Sequence, residues 1–415
     1  MRKKVYFKTF GCRTNLYDSQ VMMSSLQEYD ITQDEAEADV VVINSCTVTN
    51  GADTHVRSYI SGLEKTSDAK IFLTGCGAHT KGQKLLSEKR VHGVFGQSEK
   101  QKIDFMLKKE QPFYDPGDLN HIDDIIVDDF IGKSRAFIKI QEGCNFRCSY
   151  CIIPFVRGDA RSMDEGKILE QIARLALNGF GEFILTGTNV GSYGQDSKTS
   201  LAKLMKKISQ IRGVRRIRVG SIEPIQMSDE FKEILDEPWL EKHLHIALQH
   251  TSPAMLKLMN RRNVYKQDRE LFEFLSEKGY AIGTDFITGH PGESEALWAE
   301  AMQNAAALPL THLHAFTYSK RDTTPSAIMK PEVNGGVAKN RLHELEALIK
   351  EKNFNFRKNS TKELEVLVES YKDGLYQGFD QNFNKILIDS KEDLVGNWIN
   401  IAKYEVKEES NYVQL

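Results

Sequence analysis

Three cysteines within eight residues, Cys144, Cys148 and Cys151, constrain this chain more than any other feature. They follow an alternating apolar stretch, Ala136 to Gln141, so they sit just past a strand. Three neighbouring thiolates hold three corners of a cubane iron–sulfur cluster. A closed zinc site wants four ligands, and this stretch has no fourth Cys and no His. An iron with an open position binds a substrate or cofactor directly. A zinc site completed from elsewhere and a plain electron-transfer cluster are the alternatives on these residues alone.

The chain has 415 residues, which suggests about three domains. With 40% hydrophobic and 27% charged residues it has the composition of a water-soluble protein. A net charge of −3 gives no global nucleic-acid signature, so an RNA site has to be a local patch. No apolar run reaches the roughly 18 residues of a membrane span. The amino terminus, Met1-Arg-Lys-Lys-Val-Tyr-Phe-Lys8, lacks the apolar core of a secretory signal. A cytoplasmic protein away from membranes is expected, and with it six cysteines that serve as ligands rather than disulfides.

The other three cysteines share one local context. Strand-like runs end at Gly11-Cys12, at Asn44-Ser45-Cys46 and at Gly75-Cys76-Gly77. In an open α/β sheet the carboxyl ends of parallel strands share an edge, where ligands bind. A lone Cys is usually a small buried hydrophobe, but three in this setting predict a second cluster. The segments Thr9-Phe-Gly-Cys-Arg-Thr-Asn15, Asn44-Ser-Cys-Thr-Val-Thr49 and Thr74-Gly-Cys-Gly-Ala78 resemble the three cysteine motifs of the methylthiotransferase family. Cys144 to Cys151, with Tyr150 before the last Cys, resembles that family's radical S-adenosylmethionine (SAM) site. The resemblance runs through the whole chain in order. It implies SAM and two [4Fe–4S] clusters, held by Cys144, Cys148 and Cys151 and by Cys12, Cys46 and Cys76.

The expected fold is α/β throughout its first two domains. Residues 1–112 read as an open, Rossmann-like α/β domain, 113–134 as an acidic linker or a strand covering the seam, 135–357 as six strand–helix units and 358–415 as a small antiparallel β-barrel. The resemblance makes the third segment a partial (β/α)6 radical SAM barrel and the last a TRAM-like domain. Aspartates 115, 118, 123, 124, 128 and 129 in the linker need no chemical role. Ser162-Met-Asp-Glu165 predicts a capping box at a helix start.

Residues after the barrel strands are the candidate cofactor contacts. Gly187, Thr188 and Asn189 follow the second strand, and by resemblance hold the SAM amino group. Glu223 follows the third and contacts SAM amino or ribose groups, or else pairs with a nearby Arg. Gln249 follows the fourth, where His250-Thr251 departs from the family's Gln-Ser-Gly. Gly289 and Pro291 shape the adenine pocket after the fifth, with His290 filling the space of the family's Phe. Arg157 and Arg161 are candidates for SAM carboxylate or substrate phosphate. His312 and His314 read as structural. Arg212 to Arg218 divides evenly between a solvated face and an RNA track. The last domain carries six lysines against eleven acids from Ser360 to Leu415, a net of −5 and the wrong sign for backbone binding of RNA.

The family's branches modify isopentenyladenosine in tRNA, threonylcarbamoyladenosine next to the anticodon, or an aspartate of a ribosomal protein. Thr9-Phe-Gly-Cys with Asn-Ser-Cys-Thr-Val-Thr most resembles the threonylcarbamoyl branch. This implies abstraction of the adenosine C2 hydrogen, sulfur insertion and SAM-dependent S-methylation, with no protein acid or base identified. The partners implied are the tRNA anticodon stem-loop and a flavodoxin- or ferredoxin-type electron donor, acting on a monomer. A non-enzymatic two-cluster redox protein is the rival class.

Overall fold

The computed structural model describes residues 2–127, 130, 133–360 and 362–415. Asp128, Asp129 and Gly132 of the expected linker lie outside the described residues.

The β-branched run 40–43 is bounded by polar turns and becomes the Val40–Ser45 strand, buried along its whole length. It is a central strand of a six-stranded sheet, ordered 30–31, 4–9, 40–45, 70–75, 93–95, 113–115, all parallel. Helices Arg13–Ser25 and Asn50–Thr66 cross over between strands. Phe113–Asp115 falls in the expected linker, yet it pairs with Gly93–Phe95 as the sheet's edge strand. The first domain therefore extends past residue 112.

Six parallel strands follow: Ala136–Lys139, Glu182–Thr186, Arg216–Val219, His243–His245, Ala281–Thr288 and His312–Thr317. They form two three-stranded sheets joined by parallel bridges Ile217–Leu240 and Ile222–Ile246. Only the first and last strands lack a second strand neighbour, which makes this an open (β/α)6 barrel. Its outward side chains pack with the surrounding helices into one large core that includes Ile184, Ile217, Leu244, Ile282, Leu275 and Leu345. The helix predicted to start at Ser162 runs Glu165–Leu177, capped by Asp164, which accepts from Lys167 N at 2.9 Å. Ser162 is drawn away by Asp196, which accepts from both its N–H and its hydroxyl.

The helix Gly335–Lys358 leads to a curled sheet ordered 398–401, 364–372, 375–379, 385–389, 411–414, 405–406. All its pairs are antiparallel except 385–389 with 411–414. This domain closes the amino-terminal end of the barrel. Phe383 stacks on His243 at 5.2 Å, and Arg218 donates to Asp380 O at 2.8 Å. The arginine run is split: Arg212 and Arg215 are exposed, and Arg216 and Arg218 turn inward. Arg216 and Arg218 are buried and paired with Glu182, Glu241 and Glu365, while Arg215 lies over the Trp398 ring.

Candidate active site: two thiol triads across a domain seam

Cys12, Cys46 and Cys76 leave three adjacent strands at the same edge, because Thr9 pairs with Asn44 and Asn44 with Thr74. The polar residues of these motifs bind the turns to one another. Asn15 Nδ2 donates to Phe10 O at 2.8 Å and Ser45 O at 3.0 Å. Asn44 Nδ2 donates to Asn15 O at 2.8 Å. Gly11 has φ +100°, and a Cβ there would stand 2.9 Å from Cys46 Sγ. Only glycine combines that conformation with that approach. Cys12 is also the N-cap of the Arg13–Ser25 helix.

The second triad is held as firmly. Cys144 N donates to Gly158 O at 3.0 Å, and Ser149 N to Met259 O at 2.9 Å. Gly143, at φ +74°, lies against Asp159 O with no room for a Cβ. Each triad has N–H donors at sulfur: Arg157 Nε to Cys76 at 3.2 Å, Asn189 Nδ2 to Cys144 at 3.5 Å and Arg261 Nη1 to Cys148 at 3.5 Å. Burial pushes the Cys76 and Cys151 thiols up to about 12, so these two are neutral without metal and iron is what would make them thiolates. Three thiols with no fourth beside them, and hydrogen bonds to sulfur, are the donor set that an iron–sulfur cluster with an open iron requires; Cys46, Cys76 and Cys148 are buried and Cys12 is exposed.

Gln141 Oε1 accepts from Asn189 N at 2.7 Å, and Thr188 Oγ1 donates to Gly143 O at 2.7 Å. A Cβ on Gly187 would be 2.7 Å from Gln141 O. These three residues thus clamp the cysteine loop from the second strand. Glu223 pairs with Arg261, its Oε1 at 2.9 Å from Nη1, as the paired-carboxylate alternative held. Gln249 adopts φ +68°, a conformation a side chain seldom takes, and bridges to Phe286 in the next strand. Gly289 lies against Ala338, and its N–H donates to Glu293 Oε2 at 2.6 Å. Pro291 O takes the His290 Nδ1 proton at 2.9 Å. His290 is a fully buried ring at Tyr150, in the space expected of a Phe, with Nε2 2.7 Å from Ser326 Oγ.

Arg157 and Arg161 both donate to protein partners. Arg157 is buried, and its donors reach Cys76, Asp18, Glu142 and Asn15. Arg161 gives its protons to the carbonyls of His121, Arg157 and Asp159. Arg157 ties the barrel's cysteine loop to the first domain's triad. It belongs to a buried network of Asp18, Asp123 and Glu142 with Lys100, Lys139 and Arg157. The three carboxylates stand close enough to ligate a metal, but three cations already neutralise them. Sequence reading assigned Asp123 to a linker and passed over Asp18 and Lys100, because pairing across 82 and 23 residues leaves no local pattern. Arg13, also missed, is held below its usual range by burial, and its guanidinium lies 5.9 Å from the Phe383 ring.

Residues 4–96 match the model of the uncharacterized protein family UPF0004, and residues 138–305 match that of the radical SAM superfamily. A Helicobacter pylori J99 protein, provisionally named as a methylthiotransferase, is 52% identical over 415 residues, 99% of each chain. The threonylcarbamoyladenosine tRNA methylthiotransferase MtaB of Bacillus subtilis is 33% identical, covering 96% of this chain and 93% of its own. The tRNA-2-methylthio-N(6)-dimethylallyladenosine synthase of Wolinella succinogenes is 34% identical over 85% and 84%. The fold is similar to the radical SAM methyltransferase TsrM of Kitasatospora setae, with TM-score 0.59, 13% identity and coverage of 79% and 75%. With full-length relatives of this kind and both thiol triads in place, the chain belongs to the radical SAM methylthiotransferase family, whose cofactors are SAM and two [4Fe–4S] clusters.

Proposed function

We propose that this enzyme converts N6-threonylcarbamoyladenosine beside the tRNA anticodon to its 2-methylthio derivative. The observation that carries the reading is the pair of thiol triads, one on each side of a domain seam and tied by Arg157. The relative named for threonylcarbamoyladenosine aligns along almost the whole chain and supports this branch. In this reading Cys144, Cys148 and Cys151 hold the cluster that binds SAM, and Cys12, Cys46 and Cys76 hold the auxiliary one. The clusters supply reductive cleavage of SAM and a sulfur carrier.

The protein's own residues do the holding. Asn189, Thr188 and Gln141 fix the cysteine loop; Glu223 and Arg261 form a polar wall at Cys148; and Arg157 holds Cys76 against the barrel. Tyr150 and His290 close the adenine side. An electron donor of flavodoxin or ferredoxin type would deliver electrons to a monomeric cytoplasmic enzyme. Among the described residues, no helix is long and apolar enough to cross a membrane.

The test is nucleoside mass spectrometry of bulk tRNA from cells with and without the gene. Loss of 2-methylthio-threonylcarbamoyladenosine, with its unthiolated precursor accumulating, is expected. An unchanged level of that nucleoside would refute the branch. A change in 2-methylthio-dimethylallyladenosine instead would favour the activity named for the Wolinella relative. Reconstituted protein should bind about eight irons per chain, falling to about four when Cys12, Cys46 and Cys76 become Ala.

A further inference from the structure

The inner face of the last three barrel strands carries an unusual set of side chains. The two-residue period of a strand places His243 and His245, Gly283 and Asp285, and His312, His314 and Phe316 on one face. The alternate residues Leu244, Ile282 and Leu313 pack into the core with the helices. Gly283 is what lets the rings lie over the middle strand, since a Cβ there would be 2.9 Å from both His243 Nε2 and His245 Nδ1.

Toward the open end of the barrel, Asp285 collects three donors. His245 Nε2 and His314 Nδ1 are each 3.2 Å from Oδ1, and Ser221 Oγ donates to Oδ2 at 3.2 Å. Burial raises this carboxyl, but the two histidines outweigh it and hold it well below the usual carboxylate range. With Nδ1 donating to Asp285, the neutral form of the His314 ring has Nε2 as its acceptor. On this last strand the His314 side chain is 67% exposed and Phe316 is 36% exposed, with ring centroids 4.4 Å apart. The pair is thus an exposed aromatic surface on the inner face of the barrel's last strand.

Chain segments at the two ends of this face lead to the two triads. Ser221 is two residues before Glu223, the partner of Arg261 at Cys148. On the other side, the chain leaving Phe316 meets the first domain beside Cys46. There Ser319 Oγ accepts from Asn50 N at 2.7 Å, and Arg321 pairs with Asp53, which takes the Thr47 hydroxyl proton at 2.7 Å.

Resting on the adenosine reading above, we propose that Phe316 and His314, with His314 oriented by Asp285, form the nucleobase site of this enzyme. The purine stacks on Phe316 and gives its exocyclic N–H to His314 Nε2. Aromatic stacking accepts any flat base, while a single well-placed acceptor favours adenine over a base with a carbonyl at that edge.

The probe is a synthetic anticodon stem-loop carrying threonylcarbamoyladenosine, with a dimethylallyladenosine loop beside it. Phe316→Leu and His314→Ala should each raise KM for the stem-loop roughly ten- to hundredfold. Phe316→Tyr should restore it to near wild type, and iron content per chain serves as the folding control. In Phe316→Trp, stem-loop binding should quench the indole emission. A wild-type KM in Phe316→Leu, or an emission unmoved by saturating stem-loop, would sink the base site while leaving the proposed function intact. Wild-type thiolation of the dimethylallyl loop alone would overturn the threonylcarbamoyl branch and leave the base site to be judged on that RNA. Thiolation of neither would overturn both.

Discussion

Asp18 shows how far a single residue's role depends on partners brought from elsewhere. It is fully buried and accepts from Lys100, Lys139 and Arg157, and together these outweigh the burial that would otherwise raise its carboxyl. Removing one charge from such a network leaves others buried and unpaired. Asp18→Asn should therefore cost about 3–5 kcal/mol, read as a lowered thermal transition of the metal-free protein. His312 acts in the opposite pH range. Burial, aided by His245, lowers it to about 4, so the folded state binds fewer protons than the unfolded state below the ordinary value of about 6.5. The stability it contributes is complete at neutral pH and is lost as pH falls from about 6.5 toward 4. A loss of about 1–2 kcal/mol by pH 5 is expected, and His312→Gln should flatten that slope; a slope unchanged in the variant would place the loss elsewhere.

The cysteine-bearing turns behave as units at the scale of elements. Each is a strand end plus a glycine or asparagine that fixes the next turn. Gly75, at φ +85°, would set a Cβ 2.4 Å from Asn44 Oδ1, so the third turn closes only against the second. Gly75→Ala should disturb all three ligands together. Expected is a loss of about four irons per chain with the Cys144 triad still loaded, measured by iron analysis and the cluster absorption. The segment Phe379–Asn384 is a different kind of unit. Its amide and aromatic residues invite an RNA reading, but Phe383 stacks on His243 and lies 5.1 Å from the Arg218 guanidinium. Asp380 meanwhile accepts from Asn382 N and Asn384 N to hold the loop.

Over the whole molecule, this makes the last domain a stopper for the barrel. Its acidic net charge is partly used at the seam, where Glu365 pairs with Arg215 and Arg216, and Glu369 with Arg135. Ending the chain at residue 359 would leave Arg216 and Arg218 buried beside an opened cavity. Such a truncation should lower the thermal stability of the barrel itself, seen as protease cleavage within 136–317. A truncated protein as protease-resistant as the intact chain would show that the domain merely hangs from the barrel. The first domain is joined just as intimately, through Arg157 and the six-residue charge network on one side and Arg321 with Asp53 on the other.

Much of this could be read from the chain without coordinates. Three cysteines spaced x3 and x2, three more after strand-like runs, and six strand–helix repeats carried the fold class and, through the resemblance of their motifs, the family, because thiol spacing and hydrophobic period are local properties. Tertiary structure decided the parts that depend on distant partners. It gave Arg157 to Cys76 and Asp18, turned a linker aspartate into a buried ion-pair partner, and set an acidic domain against the barrel's arginines. It also showed which histidines share an inner face: the period of two gives each strand's alternation, but only the assembled barrel decides which side is the interior. A charge buried at long sequence separation leaves no periodicity, so its partner is visible only once the chain has folded around it.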